Sequence, residues 1–338
     1  MTTISNITDL SAVAGLVEQL PAYNTEAAEA ATNRQNSLTK PPGALGRLEE
    51  LAIFMAGWQG VEKPQINKAQ ALVFAGNHGV CAQGINPFPQ EVTVQMVANF
   101  EHGGAAINQL CQANGADLSV VALDLDNPTA DITESPAMSA EETLDALKRG
   151  AAAVDQNADV LVLGEMGIGN STIAAALAAA SFGGDVVDWV GRGTGSDDAG
   201  VQRKVSAIEK GLERAGQVEG MQILSELGGR EQAAICGAVL AARSYGIPVV
   251  LDGYICTASA APLHHVNPAL LDHCLVGHRS VEPGHQKLLE AFGKKAILDF
   301  DMRLGEGSGA ALALGVLRSA LACHNGMATF AEAQVSEA

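Results

Sequence analysis

Residues 299–311 read D-F-D-M-R-L-G-E-G-S-G-A-A. Gly305, Gly307 and Gly309 stand at alternate positions, and one carboxylate, Glu306, sits among them. Glycines let a backbone turn tightly and approach a ligand. A carboxylate held in such a turn can take a proton from a molecule bound above it. Glu306 is therefore a candidate general base. Negative charge near the start of a helix is also favoured on structural grounds alone, and an alanine- and leucine-rich helix pattern follows at once. Taken by itself, the stretch admits both readings.

Other glycine turns suggest a phosphate. G-E-M-G-I-G-N-S-T (164–172) sets Glu165, Gly167, Asn170 and Ser171 at a strand end and a helix start. Backbone N–H groups converging at a helix amino terminus suit an anion. Asn170 or Ser171 would also serve as an ordinary cap, but the glycines exceed what a cap needs. Neither a Walker A motif nor G-x-G-x-x-G is present. G-R-G-T-G (191–195) exposes more donors through Gly193, Thr194 and Gly195. Lys204 on the next helix either adds charge for a monophosphate or is a plain solvated lysine. Asp252 in V-V-L-D-G-Y and Ser280 in G-H-R-S-V-E-P-G-H are placed to hold ribose hydroxyls or phosphate oxygens, or else to cap helices. Phe88, between Pro87 and Pro89, makes a stiff apolar wall beside the polar handle of Gln90. A flat aromatic substrate suits that pair, although a proline-rich loop alone would explain it. His78, His278 and His285 form no H-x-x-x-H or H-E-x-x-H spacing, so no metal is expected.

The elements that must position these groups alternate. Apolar runs at 71–76, 118–124, 159–165, 247–253, 273–278 and 295–300 read as strands. Helical patterns separate most of them, at about 90–114, 141–154, from Ser171 onward and over 199–245. Continuous apolar strands between helices imply a parallel sheet buried on both faces. The expected fold is α/β, Rossmann-like: a mostly parallel, doubly wound sheet with helices on both faces. In that class ligands sit outside the carboxyl ends of the strands, where most of the motifs above fall. Residues 1–62 are helical and amphipathic. They are expected to form a small helical domain with the carboxy-terminal tail, about 318–338, beside a large catalytic domain over 63–317.

Composition narrows the function. Acidic residues outnumber basic ones 38 to 20, for a formal charge of −18. Nucleic-acid binding needs a basic footprint, and none is offered. Aromatic residues make up only 4%, which argues against base-stacking platforms. The six cysteines are scattered, with no C-x-x-C pair. The start, M-T-T-I-S-N-I-T-D-L, lacks the features of a secretory signal. The apolar runs near Ile173–Ala180 and Ala310–Leu317 are too short to span a bilayer. A soluble cytoplasmic protein with no membrane partner is expected.

In their order, K-P-P-G-A-L-G-R-L-E, F-A-G-N-H-G-V, G-E-M-G-I-G-N-S-T, G-R-G-T-G, G-H-R-S-V-E-P-G-H and L-D-F-D-M-R-L-G-E-G-S-G-A-A closely resemble the nicotinate-nucleotide–dimethylbenzimidazole phosphoribosyltransferases. The likeness runs from about Lys40 to about Leu317. It implies transfer of phosphoribose from nicotinate mononucleotide to 5,6-dimethylbenzimidazole with inversion. The products would be α-ribazole 5′-phosphate, a precursor of the cobalamin nucleotide loop, and nicotinate. It further implies a homodimer with no cofactor and no metal requirement. Glu306 matches the family's general base. Phe88, Gln90 and Leu304 match the benzimidazole site. Glu165, Gly167, Asn170, Gly193, Lys204 and Ser280 match the nucleotide and phosphate site, and Asp252 is grouped with them. Ser171, Thr194 and Gly195 belong to the same turns. Glu165 and Lys204 join Glu306 in the expected catalytic set, with Glu165 touching ribose or acting as a second polar group. Asn77-His78-Gly79 departs from the Asp-His-Gly common in relatives, which argues against a catalytic role for Asn77. The rival readings are a transferase for another base and a non-catalytic nucleotide sensor.

Overall fold

The computed structural model describes Ile4 and residues 7–336. Part of the amino terminus read as lacking a signal, and the last two residues of the tail, lie outside them. Six strands form one sheet: β1 (Ala69–Ala75), β2 (Ala116–Ala122), β3 (Val160–Met166), β4 (Val249–Leu251), β5 (Cys274–His278) and β6 (Ala296–Leu298). Their order is β2-β1-β3-β4-β5-β6, and every neighbouring pair is parallel. The chain steps from β1 to β2 on one side and then crosses back past β1 to β3 on the other. That reversal opens a crevice above the carboxyl ends of β1 and β3.

Alternation along the pleat builds two cores. Leu72, Phe74, Leu161, Leu163 and Leu251 join the core under the helices Ala140–Ala152, Asn170–Phe182 and Arg230–Ser244. Ala71, Val73, Val160, Val162 and Val250 join the other, against Arg47–Gln59, Ala106–Asn114 and Ser308–Gly326. Both layers need apolar strands, which is why the runs were readable. Burial on both faces holds only for the inner strands, however. At the sheet edges, β2 is half-buried to exposed and β6 half-buried throughout.

Two details shape the site. The helix expected over about 90–114 is broken into Glu91–Glu101 and Ala106–Asn114. His102, Gly103 and Gly104 make the break, with Gly103 at φ 78°. The second piece can then face Ile107 and Cys111 into the sheet core. The helices Ala140–Ala152 and Arg230–Ser244 pack backbone against backbone. A Cβ at Gly150 would stand 1.9 Å from the Ala234 carbonyl oxygen, and one at Gly237 would stand 1.8 Å from that of Leu147. Only glycine fits at either point.

The amino-terminal segment holds a short 3-10 turn, Leu10–Gly15, and the helix Thr25–Ser37 before Arg47–Gln59. It meets the carboxy-terminal segment directly. Arg34 Nε donates to the His324 carbonyl at 2.8 Å, and Thr39 N–H to that of Ala328 at 3.0 Å. Among the described residues no helix is long and apolar enough to cross a membrane.

Candidate active site

A cavity of about 350 Å³ lies over the carboxyl edge of the sheet. Each wall follows from one strand. Glu165 stands one residue before the end of β3, and the turn behind it carries Gly167, Asn170 and Ser171 into a helix start. Asp252 follows β4. Ser280 follows β5. The loop after β6 carries Arg303, Leu304, Gly305 and Glu306. Phe88 leans in from the loop after β1, and Gly193, Thr194 and Lys204 close the far side.

The expected site residues therefore meet, except two. Gln90 is not on the cavity wall, and its amide donates to the His78 carbonyl. Gly195 also lies off the wall, two residues beyond Gly193. A wider cleft of about 1150 Å³ opens elsewhere, between Asp9, Pro136, Glu142 and Arg230 among others. It holds none of the strand-end glycine turns, and its Arg230 is paired with Glu142 at 2.9 Å. The smaller cavity is the one with chemistry.

Glu306 is 7% exposed, and its Oε2 is buried with no hydrogen-bond partner. Its backbone sits at φ 65°, a left-handed conformation that side-chain-bearing residues seldom adopt. Gly305 and Gly307, at φ 87° and 86°, complete the turn. Asp252 holds this turn in place. Its Oδ2 accepts from Gly307 N–H at 3.2 Å, and its Oδ1 from Ala310 N–H at 2.9 Å. Both carboxylate oxygens thus serve the start of the helix Ser308–Gly326. His278 Nε2 lies 3.5 Å from Oδ1.

The cavity floor is acidic. Glu165 accepts from the Asn170 amide and packs against Gly305, where a Cβ would fall 2.5 Å from its Oε1. Burial, with Asp252, Glu231 and Glu306 nearby, pushes Glu165 up to about 8. Burial raises Glu306 as well, helped by Asp252 and opposed by the Ile107 backbone N–H. Burial raises Asp252 against the pull of His278 and the Ala310 and Gly307 amides. A carboxylate raised toward neutral pH is a better proton acceptor than an ordinary one.

The far side of the cavity is built differently. Lys204 is 3% exposed, so it is not a solvated lysine. Its Nζ donates to Ser171 Oγ at 3.2 Å and to the Gly191 carbonyl at 3.3 Å. A Cβ on Gly193 would stand 2.9 Å from Ser171 Oγ and 3.1 Å from Lys204 Nζ. Gly193, at φ 54°, thereby brings its backbone close to both. Phe88 and Leu304 form an apolar rim and are 47% and 53% exposed. No group of three or more His, Cys, Asp or Glu side chains among the described residues is arranged to hold a metal.

Sequence reasoning passed over two charged residues on this wall, Glu282 and Arg303, though both lie inside quoted motifs. It also missed Glu231. That carboxylate is fully buried behind Gly76 and Gly167, with Oε1 2.7 Å from His78 Nε2. The approach is close but off the direction of a ring N–H, so the pair makes no aligned hydrogen bond. Its only signal is a charged residue at the start of an otherwise apolar helix.

A parallel sheet whose strand ends carry a cation-backed glycine turn and a buried carboxylate has the parts that an enzyme acting on a phosphorylated ligand needs. A family model described as phosphoribosyltransferase matches residues 20–335. A nicotinate-nucleotide–dimethylbenzimidazole phosphoribosyltransferase of Rhodobacter capsulatus is 64% identical over 324 residues, covering 96% of this chain and 97% of that protein. One of Ruegeria pomeroyi is 56% identical over 331 residues, 98% of each. A crystal structure of the protein of that name from Thermus thermophilus is 40% identical and matches with a TM-score of 0.88. It covers 93% of this chain and 100% of its own. The chain belongs to the nicotinate-nucleotide–dimethylbenzimidazole phosphoribosyltransferase family.

Proposed function

We propose that this chain transfers phosphoribose from nicotinate mononucleotide to 5,6-dimethylbenzimidazole, with Glu306 as the general base. The base lies between Phe88 and Leu304, where half-exposed apolar surface is available to cover it. Glu306 takes the N–H proton of the benzimidazole. The other ring nitrogen attacks the anomeric carbon as the bond to nicotinate breaks. The bonding pair passes to the pyridinium nitrogen and neutralises it, so the leaving group needs no acid. Attack from the opposite face turns a β linkage into an α linkage, giving α-ribazole 5′-phosphate and nicotinate. The Gly193 amide, Ser171 and Lys204 hold the phosphate. Glu165, fixed by Asn170, lies on the ribose side. Catalysis rests on orientation and on a field already in place.

The observation that carries this reading is the buried, unpartnered Oε2 of Glu306 on the cavity wall. A buried acceptor without a donor is costly to keep, and a substrate N–H would satisfy it. Asp252 enters as the residue that positions Glu306, rather than as a ligand for ribose. We also read the protein as a cytoplasmic homodimer. The expected helical lobe of 1–62 with about 318–338 is supported at its terminal ends by the Arg34 and Thr39 contacts, while its helix Arg47–Gln59 also packs into the sheet's own core.

The test is a product assay with nicotinate mononucleotide, dimethylbenzimidazole and chelator, run on the wild type and Glu306→Gln. The expected result is α-ribazole 5′-phosphate from the wild type and a loss of about a hundredfold or more in the variant. Equal rates would remove Glu306 from the base role. Bound nucleotide with no product from either protein would favour a sensor, and turnover with purines alone would favour a different base.

A further inference from the structure

The phosphate cradle contains a carboxylate that the reaction above does not use. Glu282 lines the cavity beside Gly193, and its Oε1 accepts from the Gly193 N–H at 3.0 Å. That amide is the donor a phosphate oxygen would take. The other oxygen, Oε2, is buried with no partner, close against Gly191. Lys204 and Arg303 both pull on this carboxylate electrostatically, yet neither forms an ion pair with it among the described residues. An anion group of the substrate's own kind is thus seated on the anion donors of the protein.

We propose that Glu282 competes with the substrate's phosphate for the Gly193 amide, so that phosphate binding displaces its carboxylate toward Arg303. The inference rests on the assignment of the Gly193–Ser171–Lys204 turn as the phosphate cradle. Two features of the surroundings support it. First, the displaced side chain has somewhere to go. Glu282 and Arg303 form a shared wall between the active-site cavity and a neighbouring surface cavity of about 310 Å³. Arg303 is exposed and has no carboxylate partner among the described residues. Arg192, at the same neighbouring cavity, is already held by Asp198. Second, the competition is tunable by protons. Burial raises the Glu282 carboxyl, against the pull of Lys204, the Gly193 amide and Arg303. A proton on Glu282 would end its repulsion of a phosphate.

The groups facing Glu282 set the limits of that pH effect. Lys204 comes from the helix Asp198–Ala215 and Arg303 from the loop before Glu306. Tyr254, whose hydroxyl donates to the Trp189 carbonyl at 2.6 Å, comes from the helix after β4. Ser280 Oγ accepts from the Glu282 N–H at 3.3 Å. Across the cavity, burial pushes the Glu165 carboxyl up to about 8, so that it adds its own repulsion above that pH. The signature is therefore a difference between wild type and variant, not an absolute pH profile. Functionally, a resident carboxylate weakens phosphate binding in both directions, so it helps the phosphorylated product leave.

Sulfate is the probe, because it is tetrahedral, doubly charged and does not titrate between pH 5.5 and 8. Its binding to the full-length protein is followed by calorimetry, for the wild type, Glu282→Gln, Glu282→Asp and Lys204→Met. Glu282→Gln keeps an acceptor for Gly193 without the charge. It is expected to bind sulfate about tenfold tighter than wild type at pH 8, and the gap should narrow as pH falls. Glu282→Asp, with a shorter reach, should fall between. In turnover, the same Glu282→Gln variant should lower KM for nicotinate mononucleotide rather than raise kcat. Equal or weaker sulfate binding in Glu282→Gln, with Lys204→Met losing it at every pH, would overturn the competition and leave the cradle standing. Sulfate binding that survives in Lys204→Met would overturn the cradle itself.

Discussion

Asp252 offers the sharpest contrast between a ligand contact and a scaffold role. In Asp252→Asn one oxygen survives and one becomes an NH2 group. That group must face either the Gly307 or the Ala310 N–H, donor against donor. Losing a hydrogen bond to a charged acceptor costs about 1.5–3 kcal/mol. Part is offset because the variant no longer buries a charge beside Glu165 and Glu306, so a net loss of about 2 kcal/mol is reasonable. An unfolding entropy of roughly 2.1 cal/mol/K per residue over 338 residues gives about 0.7 kcal/mol/K, hence a fall in Tm of only about 3 °C. The effect on rate should be far larger. Glu306 keeps its left-handed backbone because the following helix start is pinned, and a shift of about 1 Å in a catalytic group can cost about a hundredfold. The expected outcome is kcat down by about ten- to a hundredfold, KM for nicotinate mononucleotide within about threefold, and a small change in melting. Calorimetry and steady-state kinetics on one preparation check all three. A large rise in that KM with kcat intact would refute the reasoning and restore Asp252 as a nucleotide ligand. No kinetic change at all would show that the turn holds without it.

Two other outcomes are expected. Burial pushes the Glu165 carboxyl from the ordinary 4.5 of an unfolded chain up to about 8 in the folded one. Between those values the folded state binds more protons. The stability from this group is therefore full below about 4.5 and is lost as pH rises through about 8. Urea unfolding at pH 5 and pH 8 should show a decline that Glu165→Gln reduces, and parallel slopes in the two proteins would contradict it. Phe88→Ala removes half-exposed apolar surface from the rim. It should raise KM for the base by about five- to tenfold, on the order of 1 kcal/mol, and leave KM for the nucleotide within about twofold. An equal rise in both would place Phe88 outside the base site.

The strands were legible because a sheet covered on both faces forces apolar runs, and β1, β3 and β5 are such runs. The glycine turns were legible because tight backbone approach leaves no other residue type available. The break at His102–Gly104 had its signal in paired glycines, but helical periodicity on both sides hid it. The hydrogen bonds of Asp252 were not legible. Its partners, Gly307 and Ala310, lie 55 and 58 residues away, and nothing local separates an aspartate that caps a distant helix from one that binds ribose. Glu231 was hidden for the same reason, since its neighbour His78 belongs to another strand end. Lys204 was undecided in sequence. It lies on the helix face whose Ala207 and Ile208 join the core, under the Gly191 carbonyl.

The glycine seam between Ala140–Ala152 and Arg230–Ser244 bears on how variants would look in a living cell. Gly150 and Gly237 touch no group in the reaction, yet any side chain there would force two backbones apart. Such a change would deplete the folded population, and quality control would clear much of the chain before it met a substrate. A strain carrying it would behave as if the gene were poorly expressed. The few molecules that survived should turn over at an ordinary rate, so genetic loss at these glycines would be a matter of dosage.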